Sequence, residues 1–409
     1  METLDIRSKK LVLYILSSAG MVATLSQLIF LPSITAIRED LAATTFQVSM
    51  TIALYSFALA IAQLVYGPLV DKFKPKTIIL TGLIIFALSS LGIFQSASIE
   101  MIIFFRIMQA LGVASVGICG NSIISVMFTG VERDKSISIF QMFHSIGAAI
   151  GPAVGATIGI FFSWRISFLI LTVWVIIVIA ILVKKLPLGE NINAFSFRAA
   201  YHLIQSSNLL FLCLAGAATA FVIQSFHTSL GFLFTDYLKI HAGWTGYAFM
   251  AIPLGVFTGS NINRMLLNFM STEKITLIGM TCMTVFVGTF VLFIYVLPNP
   301  IAIYILILNL YLVGSSLGIV FATVTSIIIS WFTDLRGTAI AVLFFTRNLF
   351  GTVGPLSTGY MIDQVNVPMA YVLILIVALL SVPLCLIAFH LNRRKQKTTL
   401  VSGSEITVN

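Results

Sequence analysis

A permanently charged side chain lies inside the fourth long apolar run of this sequence. Arg106 is about two turns into that run, and Gln109 follows one helical turn later on nearly the same face. A guanidinium within a bilayer costs about 2.5–3.5 kcal/mol on insertion scales unless a partner or water faces it. We therefore expect Arg106 and Gln109 either to face a cavity and assist a substrate or proton, or to brace the helix by bonding to carbonyls of the first run.

Two more candidates are equivalent when the Gly-Pro pairs at 151–152 and 354–355 are superposed. His144 and Arg347 each precede the glycine of their pair by seven residues. A histidine titrates near neutral pH and is able to carry a proton, although a neutral ring bonded to a backbone carbonyl is the alternative. Arg347, followed by Asn348 at mid-depth, needs an anion, a dipole or water beside it.

Polar side chains also interrupt the seventh and first apolar runs. Gln224 and His227 are one turn apart in the seventh run, and Gln27 lies in the first. We expect these residues to contact a substrate, with hydrogen bonding between helices as the alternative. Aromatic residues such as Tyr55 are candidates for lining an apolar pocket, but most of the 33 phenylalanines are expected to face lipid or the core.

The composition predicts an integral membrane protein. Apolar residues make up 59% of the 409, charged residues 9%, and the mean hydropathy is +1.06, which no water-soluble domain could cover with a polar surface. The apolar runs are continuous, which favours helices over a barrel. Reading runs of about 20 residues predicts twelve spans near 11–35, 46–70, 77–97, 100–128, 137–162, 165–185, 208–235, 244–267, 275–297, 300–330, 338–361 and 368–391.

Lysine and arginine predict the orientation. Of the 23 basic residues, 18 fall in segments on the side of the N-terminus, two lie within spans, and only Arg38, Arg165 and Lys239 fall on the other side. The positive-inside rule then places both termini in the cytoplasm. Because the basic residues are spread over short loops, the net charge of +9 does not indicate a nucleic-acid partner.

The chain divides into two related halves. The longest connection between spans follows the sixth, which predicts an N-terminal six-helix bundle at 1–185, a linker at 186–207, a C-terminal six-helix bundle at 208–392 and a tail at 393–409. Arg133 and Arg336 each precede a Gly-Pro pair by eighteen residues. Repeats that flank a site near the membrane midplane are how many secondary transporters are built.

Glycine recurs every fourth residue in the fifth span. Gly147, Gly151 and Gly155 draw a stripe along which a neighbouring helix is able to approach to backbone contact. Pro152 lies within the stripe and predicts a bend in the helix. Gly354 and Pro355 are the counterpart in the eleventh span, so we expect these helices to form an interface between two moving halves.

Sequence motifs of enzymes that hydrolyse ATP, peptides or esters do not occur in this chain. It contains no Gly-x-x-x-x-Gly-Lys-Ser/Thr, no His-Glu-x-x-His and no Gly-x-Ser-x-Gly pattern. The four cysteines are scattered through apolar runs, which indicates neither a disulfide framework nor a metal site. We expect no enzyme activity, no cofactor and no metal.

Four segments together resemble the major facilitator superfamily and, within it, the twelve-span drug/proton antiporters of the bacterial Bcr/CflA type. Residues 67–76 (GPLVDKFKPK) look like the family's loop motif between spans two and three, and residues 106–112 look like its fourth-span motif. Residues 147–155 resemble the fifth-span signature associated with antiport, and Ser-Trp-Arg at 163–165 follows as in relatives. The resemblance implies two six-helix bundles around a central cavity, which the seventh span usually borders.

The resemblance also implies a cytoplasmic latch. Asp71 and Lys72 match the loop motif after Gly67, and together with Arg133 they would pair when the inner face closes. One family feature is missing. Relatives often carry an acidic residue before the Leu-Pro pair of the first span, where this chain has Gln27 nearby, and no Asp or Glu lies in the middle of any span.

Three functions remain open from the sequence. The first is a secondary transporter that works by alternating access and exports amphiphilic drugs or metabolites against protons, as the resemblance implies. The second transports a small anion, such as an organic acid, amino acid or siderophore, if Arg106, His144 and Arg347 face one cavity. The third is a sensor or scaffold that does not transport. In each case we expect a monomer in the bilayer of a bacterial inner membrane.

Overall fold

Twelve long helices run through the part of the chain that the structure describes. The computed structural model describes residues 6–186, 206–240, 242–296, 301–332 and 336–406, and the predicted all-helical fold is confirmed. The helices are α1 (Ile6–Leu28), α2 (Thr45–Lys72), α3 (Pro75–Phe94), α4 (Ile99–Met127), α5 (Gly130–Phe161), α6 (Arg165–Lys185), α7 (Ser207–Phe232), α8 (Ala242–Leu266), α9 (Thr272–Val296), α10 (Ile301–Trp331), α11 (Arg336–Gln364) and α12 (Val367–Ile406).

Eleven of these segments are long and apolar enough to cross a membrane, counted over the described ranges. The first continues past α1 through a 3₁₀ turn, Leu31–Ser33, into a short helix, Ile34–Asp40. Helix α8 is not among the eleven, and its second half carries polar residues, including Asn261 and Asn263. It coincides with the predicted eighth span and packs between α5 and α10 as a twelfth helix of the bundle.

The two halves repeat the same packing. In the first half α1 packs on α5 and α6, α2 on α4, and α3 on α4 and α6. In the second half α7 packs on α11 and α12, α8 on α10, and α9 on α10 and α12. Even the loops correspond, since Ala42 and Lys239, the two described non-glycine residues with positive φ, follow the first helix of each half. The structure therefore contains the twofold repeat that the sequence predicts.

Two pairs of helices join the halves, and they too are equivalent. Helix α2 of the first half packs along α11 of the second, and α5 packs against α8. We call the side of the bundle that holds Ile6 and Lys185 the terminal side, and the opposite side, which holds Arg38 and Asp236, the far side.

Helices α5 and α8 approach closely where they cross. Gly246 on α8 has no side chain, and the side chain of Ala156 on α5 occupies the place where a Cβ of residue 246 would stand.

Some predicted boundaries fall outside the described residues. Most of the predicted linker at 186–207 lies there, as do the last residues of the tail. Helix α12 continues beyond the predicted end of the twelfth span through Arg393 and Arg394. The division at 1–185, 186–207, 208–392 and 393–409 stays a prediction.

Candidate functional site

A small cavity lies between the two halves, with room for about one water molecule. Both halves supply its walls, so it sits where the repeats meet. Aliphatic and aromatic side chains provide the apolar part of the lining, and amides, a hydroxyl, an imidazole and a guanidinium provide the polar part. The lining residues are Gln27, Leu28, Leu31, Ile52, Tyr55, Ser56, Arg106, Gln224 and His227.

Arg106 forms one wall of the cavity and also joins two helices. Its side chain is 1% exposed, and Nη1 donates to the backbone oxygen of Ser26 on α1 at 2.8 Å and to Oε1 of Gln109 at 2.7 Å. The guanidinium lies over the rings of Phe30 and Tyr55, at 4.3 and 4.1 Å from their centroids. Arg106 thus combines the two alternatives that the sequence left open, since it lines the cavity and braces α4 against α1.

Gln109 lies behind Arg106 and does not line the cavity. It is fully buried, and its Nε2 donates to Oγ of Ser90 on α3 at 2.8 Å while Oε1 accepts from Arg106. Through these two bonds Gln109 connects the guanidinium of Arg106 to α3. The geometry gives Gln109 a positioning contact rather than a contact with a guest molecule.

Gln224 and His227 face the cavity from the second half. His227 Nδ1 lies 3.0 Å from Gln224 Oε1, and Gln224 Nε2 donates to Ser56 Oγ on α2 at 2.9 Å. The one-turn spacing on α7 that singled out this pair in the sequence places both side chains on the cavity wall. The bond from Gln224 to Ser56 crosses from one half to the other, whereas the bond to His227 stays within α7.

Tyr55 and Ser56 on α2 complete this site, and the sequence predicted them only weakly. Tyr55 is 2% exposed, and its hydroxyl lies 3.2 Å from that of Ser26. Tyr55 was a candidate lining residue among many aromatics, whereas Ser56 carried no signal at all. A lone serine in a membrane helix ordinarily bonds to its own helix backbone, and only the fold reveals that this one meets Gln224.

His144 and Arg347 do not join the cavity. His144 on α5 packs against Gly20 of α1, with Nδ1 3.1 Å from the backbone oxygen of Phe140, as in the alternative that the sequence left open. Arg347 on α11 lies with its guanidinium 4.7 Å from the ring centroid of Phe321. The three cations of the anion hypothesis therefore occupy separate helix contacts.

Arg347 has an unusual environment for a buried cation. It is 8% exposed, and Nε and Nη2 have no hydrogen-bond partner among the described residues. The neighbouring Asn348 does have a partner, because its Nδ2 donates to Oε1 of Gln63 on α2 at 3.1 Å. That bond is a second polar link between the halves, on the terminal side of the cavity.

The glycine stripe of α5 packs within its own half, contrary to the predicted interface between halves. A Cβ at Gly147, Gly151 or Gly155 would meet Met21, Leu28 or Ile29 of α1 respectively. The counterpart Gly354 likewise faces Phe221 and Ser225 of α7. Both helices still lie at the boundary, but they present a different face to the other half. Pro152 and Pro355 are each within a continuous helix.

The predicted latch is only partly described. Helix α2 extends through Lys72, but the side chains of Gly67, Asp71 and Lys72 lie outside the described part of the chain. Arg133 is exposed near the start of α5 on the terminal side. The pairing of these charges stays a prediction.

Charged groups close the far side between the halves. Arg38 Nη1 lies 2.6 Å from Asp236 Oδ2, and its guanidinium also lies 5.3 Å from the ring centroid of Phe232. Asp363 at the end of α11 accepts from the backbone nitrogens of Thr45 and Phe46, at 3.1 and 2.6 Å. The carboxylate thus caps the first turn of α2, a helix of the other half.

The Major Facilitator Superfamily profile matches residues 16–328. The chain belongs to this superfamily. Superfamily membership makes it a transporter that crosses the membrane many times, and not an enzyme. Among described residues, no group of three or more His, Cys, Asp or Glu is placed to hold a metal ion.

Relatives with drug-resistance names support the predicted branch of the superfamily. The chloramphenicol resistance protein CraA of Acinetobacter baumannii is 22% identical over 71% of this chain and 71% of its own length. The bicyclomycin resistance protein homolog of Haemophilus influenzae is 26% identical over 41% of this chain and 45% of its own length. For the first three relatives the match covers only 29–45% of their length. The resemblance to the drug-resistance antiporters is confirmed at this level.

A solved structure of the superfamily shares the fold. The crystal structure of a bacterial homologue of the human lysosomal transporter Spinster, in an inward-facing and unoccupied conformation, aligns with a TM-score of 0.74. The alignment covers 95% of this chain and 98% of that one at 15% identity. At this identity the likeness extends to the helical arrangement alone.

Proposed function

We propose that this transporter exports amphiphilic drugs or metabolites by alternating access, coupled to the entry of protons. The observation that supports the proposal is the mixed cavity between the halves. Leu28, Leu31, Ile52 and Tyr55 offer apolar contact, while Gln224 and its neighbours offer a few polar groups. A site of this composition suits a molecule with an apolar body and one polar end. The drug-resistance names of several relatives support the same substrate class.

The proposed cycle moves the two halves around this cavity. Contacts of Arg38 and Asp363 hold the far side closed in this conformation, so loading takes place from the terminal side. The excess of basic residues on the terminal side favours a cytoplasmic location for both termini. We propose that Asp71, Lys72 and Arg133 latch that side when the far side opens. Slower transport with unchanged dye binding in Asp71→Ala is the result that the latch requires.

The arrangement of residues on which the anion hypothesis depends does not occur in the structure. It required Arg106, His144 and Arg347 to face one cavity, and only Arg106 lines the cavity that the structure describes. The guanidinium of Arg106 is already bonded to Ser26 and Gln109 and covered by two rings. We therefore keep the export of amphiphilic drugs or metabolites as the proposed function.

The test is transport by the purified chain in proteoliposomes with an imposed pH gradient. Ethidium and chloramphenicol should move against the proton gradient, and benzoate should not. Ser56→Leu, which fills the cavity, should slow this transport severely. Ser145→Leu is the matched control because Ser145 is an exposed residue of α5. Movement of benzoate alone would favour the anion transporter, and movement of none of the three would favour the scaffold.

A further inference from the structure

His227 is the described cavity-lining residue whose side-chain type, an imidazole, titrates near neutral pH when it is in water. Arg106 keeps its proton at all ordinary pH values, and the Tyr55 phenol keeps its own at neutral pH. The remaining polar lining residues, Gln27, Ser56 and Gln224, do not titrate. No carboxylate lines the cavity. An imidazole is thus the single candidate for a proton site among the described lining residues.

The hydrogen bonds of His227 leave one ring nitrogen ready to accept a proton. Gln224 donates through Nε2 to Ser56, which points its Oε1 toward His227 Nδ1 at 3.0 Å. An amide oxygen only accepts, so Nδ1 carries the hydrogen of the neutral ring and Nε2 carries the lone pair. Nε2 forms no hydrogen bond to described residues and is not among the polar atoms sealed from solvent. Protonation at Nε2 therefore leaves the bond to Gln224 intact.

The surroundings of His227 link its protonation to the conformation of the protein. His227 is 7% exposed and shares its small cavity with the permanent charge of Arg106. Burial and a neighbouring cation both disfavour an imidazolium. Separation of the halves admits water to the cavity and relieves both effects. Tyr55 and Arg106 are the charged or titratable groups that line the cavity together with His227; Arg38, Glu39, Asp40 and Asp236 lie farther along on the far side, and Arg347, Asp363 and Tyr371 lie on α11 and α12, which pack on α7.

We propose that His227 is the proton-binding residue of the transport cycle, a proposal that rests on the proton-coupled export proposed above. When the far side is open, hydronium transfers its proton to Nε2 of His227 and leaves a water molecule. When the terminal side opens, the proton passes from Nε2 to water on that side. Imidazolium and a cationic substrate exclude each other from a cavity that already holds Arg106. The exclusion makes the exchange an antiport, without a carboxylate in the membrane.

The experiment separates coupling from substrate movement. Proteoliposomes of His227→Gln are assayed for ethidium accumulation driven by a pH gradient, and for exchange of radiolabelled for unlabelled ethidium without a gradient. Glutamine retains hydrogen bonding but cannot titrate. We expect accumulation to fall to the level seen without a gradient, while exchange continues and falls by a much smaller factor than accumulation does. His390→Gln, at an exposed position of α12, is the matched control and should change neither.

Each other outcome overturns the proposal. Gradient-driven accumulation that survives in His227→Gln removes the proton role, and loss of coupling in His144→Gln instead would assign it to that residue. Loss of exchange together with accumulation in His227→Gln would make His227 a substrate contact or a folding residue. His227→Glu guards against a folding failure, because it should couple again with its pH optimum shifted to lower pH. Absence of gradient-driven transport in the wild-type protein would refute the proposed function itself.

Discussion

Arg106 and Arg347 are both buried cations of membrane helices, yet their surroundings are opposite. Nη1 of Arg106 makes two hydrogen bonds and its plane lies between two aromatic rings, while its Nε has no partner. Arg347 has one ring beside it, and neither Nε nor Nη2 has a partner among described residues. An unpaired buried donor costs about 1–3 kcal/mol, and more when it is charged. The same residue type therefore stabilises one half and strains the other.

The same substitution should then change stability in opposite directions. Arg106→Met removes the donors that hold Ser26 and Gln109, which leaves a buried amide oxygen unpaired and should lower stability by about 1–3 kcal/mol. Arg347→Met replaces an unpaired charge by an apolar side chain of similar length and should raise the unfolding temperature. The measurement is thermal unfolding in detergent, followed by a thiol-reactive dye that reports exposure of the cysteines. Cys119, Cys213 and Cys385 are free and buried in the folded protein.

A fall in stability for both variants would contradict this account. It would mean that Arg347 has a counter-charge outside the described residues. Arg106→Met should also abolish dye transport, since the variant removes a wall of the cavity. Arg347→Met is informative for transport because we expect this variant to be more stable than the wild-type protein. A loss of transport in it could therefore not be attributed to unfolding.

The sequence predicted some site residues because polar side chains are rare in apolar runs. Gln27, Arg106, Gln224 and His227 were found in this way, and the structure brings them together at one cavity. A polar residue in an apolar run does not reveal which face of the helix it lies on. The sequence therefore could not show that His144 and Arg347, unlike the other four, lie away from the cavity. Ser56 could not be found because small hydroxyl residues are common in membrane helices. Substrate contact by any of these residues stays a prediction.

At the scale of the helix, α5 uses its two faces for different partners. The glycine face touches α1 of the same half, and the face that carries Ala156 meets Gly246 of α8 in the other half. Spacing of glycines predicts that some helix approaches closely but not which one. The sequence therefore predicted a helix at the boundary correctly and assigned the wrong face to it. The boundary face is built from small residues too, without a regular glycine pattern.

A Gly→Ala substitution should lower stability where the glycine packs closely against another helix, but not where space is open beside its Cα. A Cβ at Gly155 would overlap the backbone carbonyl of Ile29, whereas a Cβ at Gly117 on α4 would have nothing within 4 Å. Gly155→Ala should lower stability by about 1–3 kcal/mol, because backbone atoms of α1 cannot move aside. Gly117→Ala should be neutral or stabilise by about 0.5–1 kcal/mol through helix propensity. The same thermal unfolding assay in detergent measures both.

Equal stability of the two alanine variants would contradict the close packing of α5 on α1. Transport adds a second test of the same contact. If α5 and α1 move as one body, Gly155→Ala should reduce transport only in proportion to the folded fraction. A larger loss would indicate that α5 shifts against α1 during the cycle.

Span prediction succeeded because hydropathy over about 20 residues is set by bilayer thickness rather than by tertiary contacts. The predicted and observed spans agree for α6, which runs from Arg165 to Lys185 in both. Helix α8 was also predicted, and a helix lies there, although it is not among the eleven segments that are apolar enough to span a membrane, counted over the described residues. Gly255 and Gly259 let α8 pack against the backbone of Tyr311 and Ser315 on α10. Of the polar side chains in its second half, Asn263 is buried and Asn261 is exposed.

The whole molecule is held together across its two halves unevenly. On the far side, Arg38 pairs with Asp236 and Asp363 caps α2. Nearer the terminal side, a neutral pair, Asn348 and Gln63, links the halves among the described side chains. The twofold repeat could be read from the sequence, because Gly-Pro pairs recur at matched distances. The closed far side could not, because the partners are about 200 and 320 residues apart.

Loss of the ion pair should open the far side. A reporter cysteine, Leu31→Cys, in a background without the four native cysteines, lines the cavity near this side. Arg38→Ala should speed its reaction with a membrane-impermeant maleimide added outside intact cells, because the halves separate more often. The double variant Arg38→Asp with Asp236→Arg should restore slow labelling. The measurement is the labelling rate of the reporter.

Arg165→Ala provides the matched control. Arg165 pairs with Asp40 on the same side of the membrane, but both residues belong to the first half. Its loss should leave the labelling rate unchanged. Fast labelling in that variant would mean that any lost charge loosens the far side. Labelling that occurs only in broken cells would contradict the proposed orientation.

The composition of the far-side closure makes the transporter sensitive to the medium that bathes it. Arg38 and Asp236 are 23% and 29% exposed, so dissolved ions reach both. Electrostatic attraction between such groups weakens as the screening length shortens, from about 30 Å in dilute medium to about 8 Å at physiological ionic strength. The aliphatic contacts deeper in the bundle do not share this dependence. In the proposed orientation, we therefore expect salinity outside the cell to shift the balance between the two conformations, independently of any substrate.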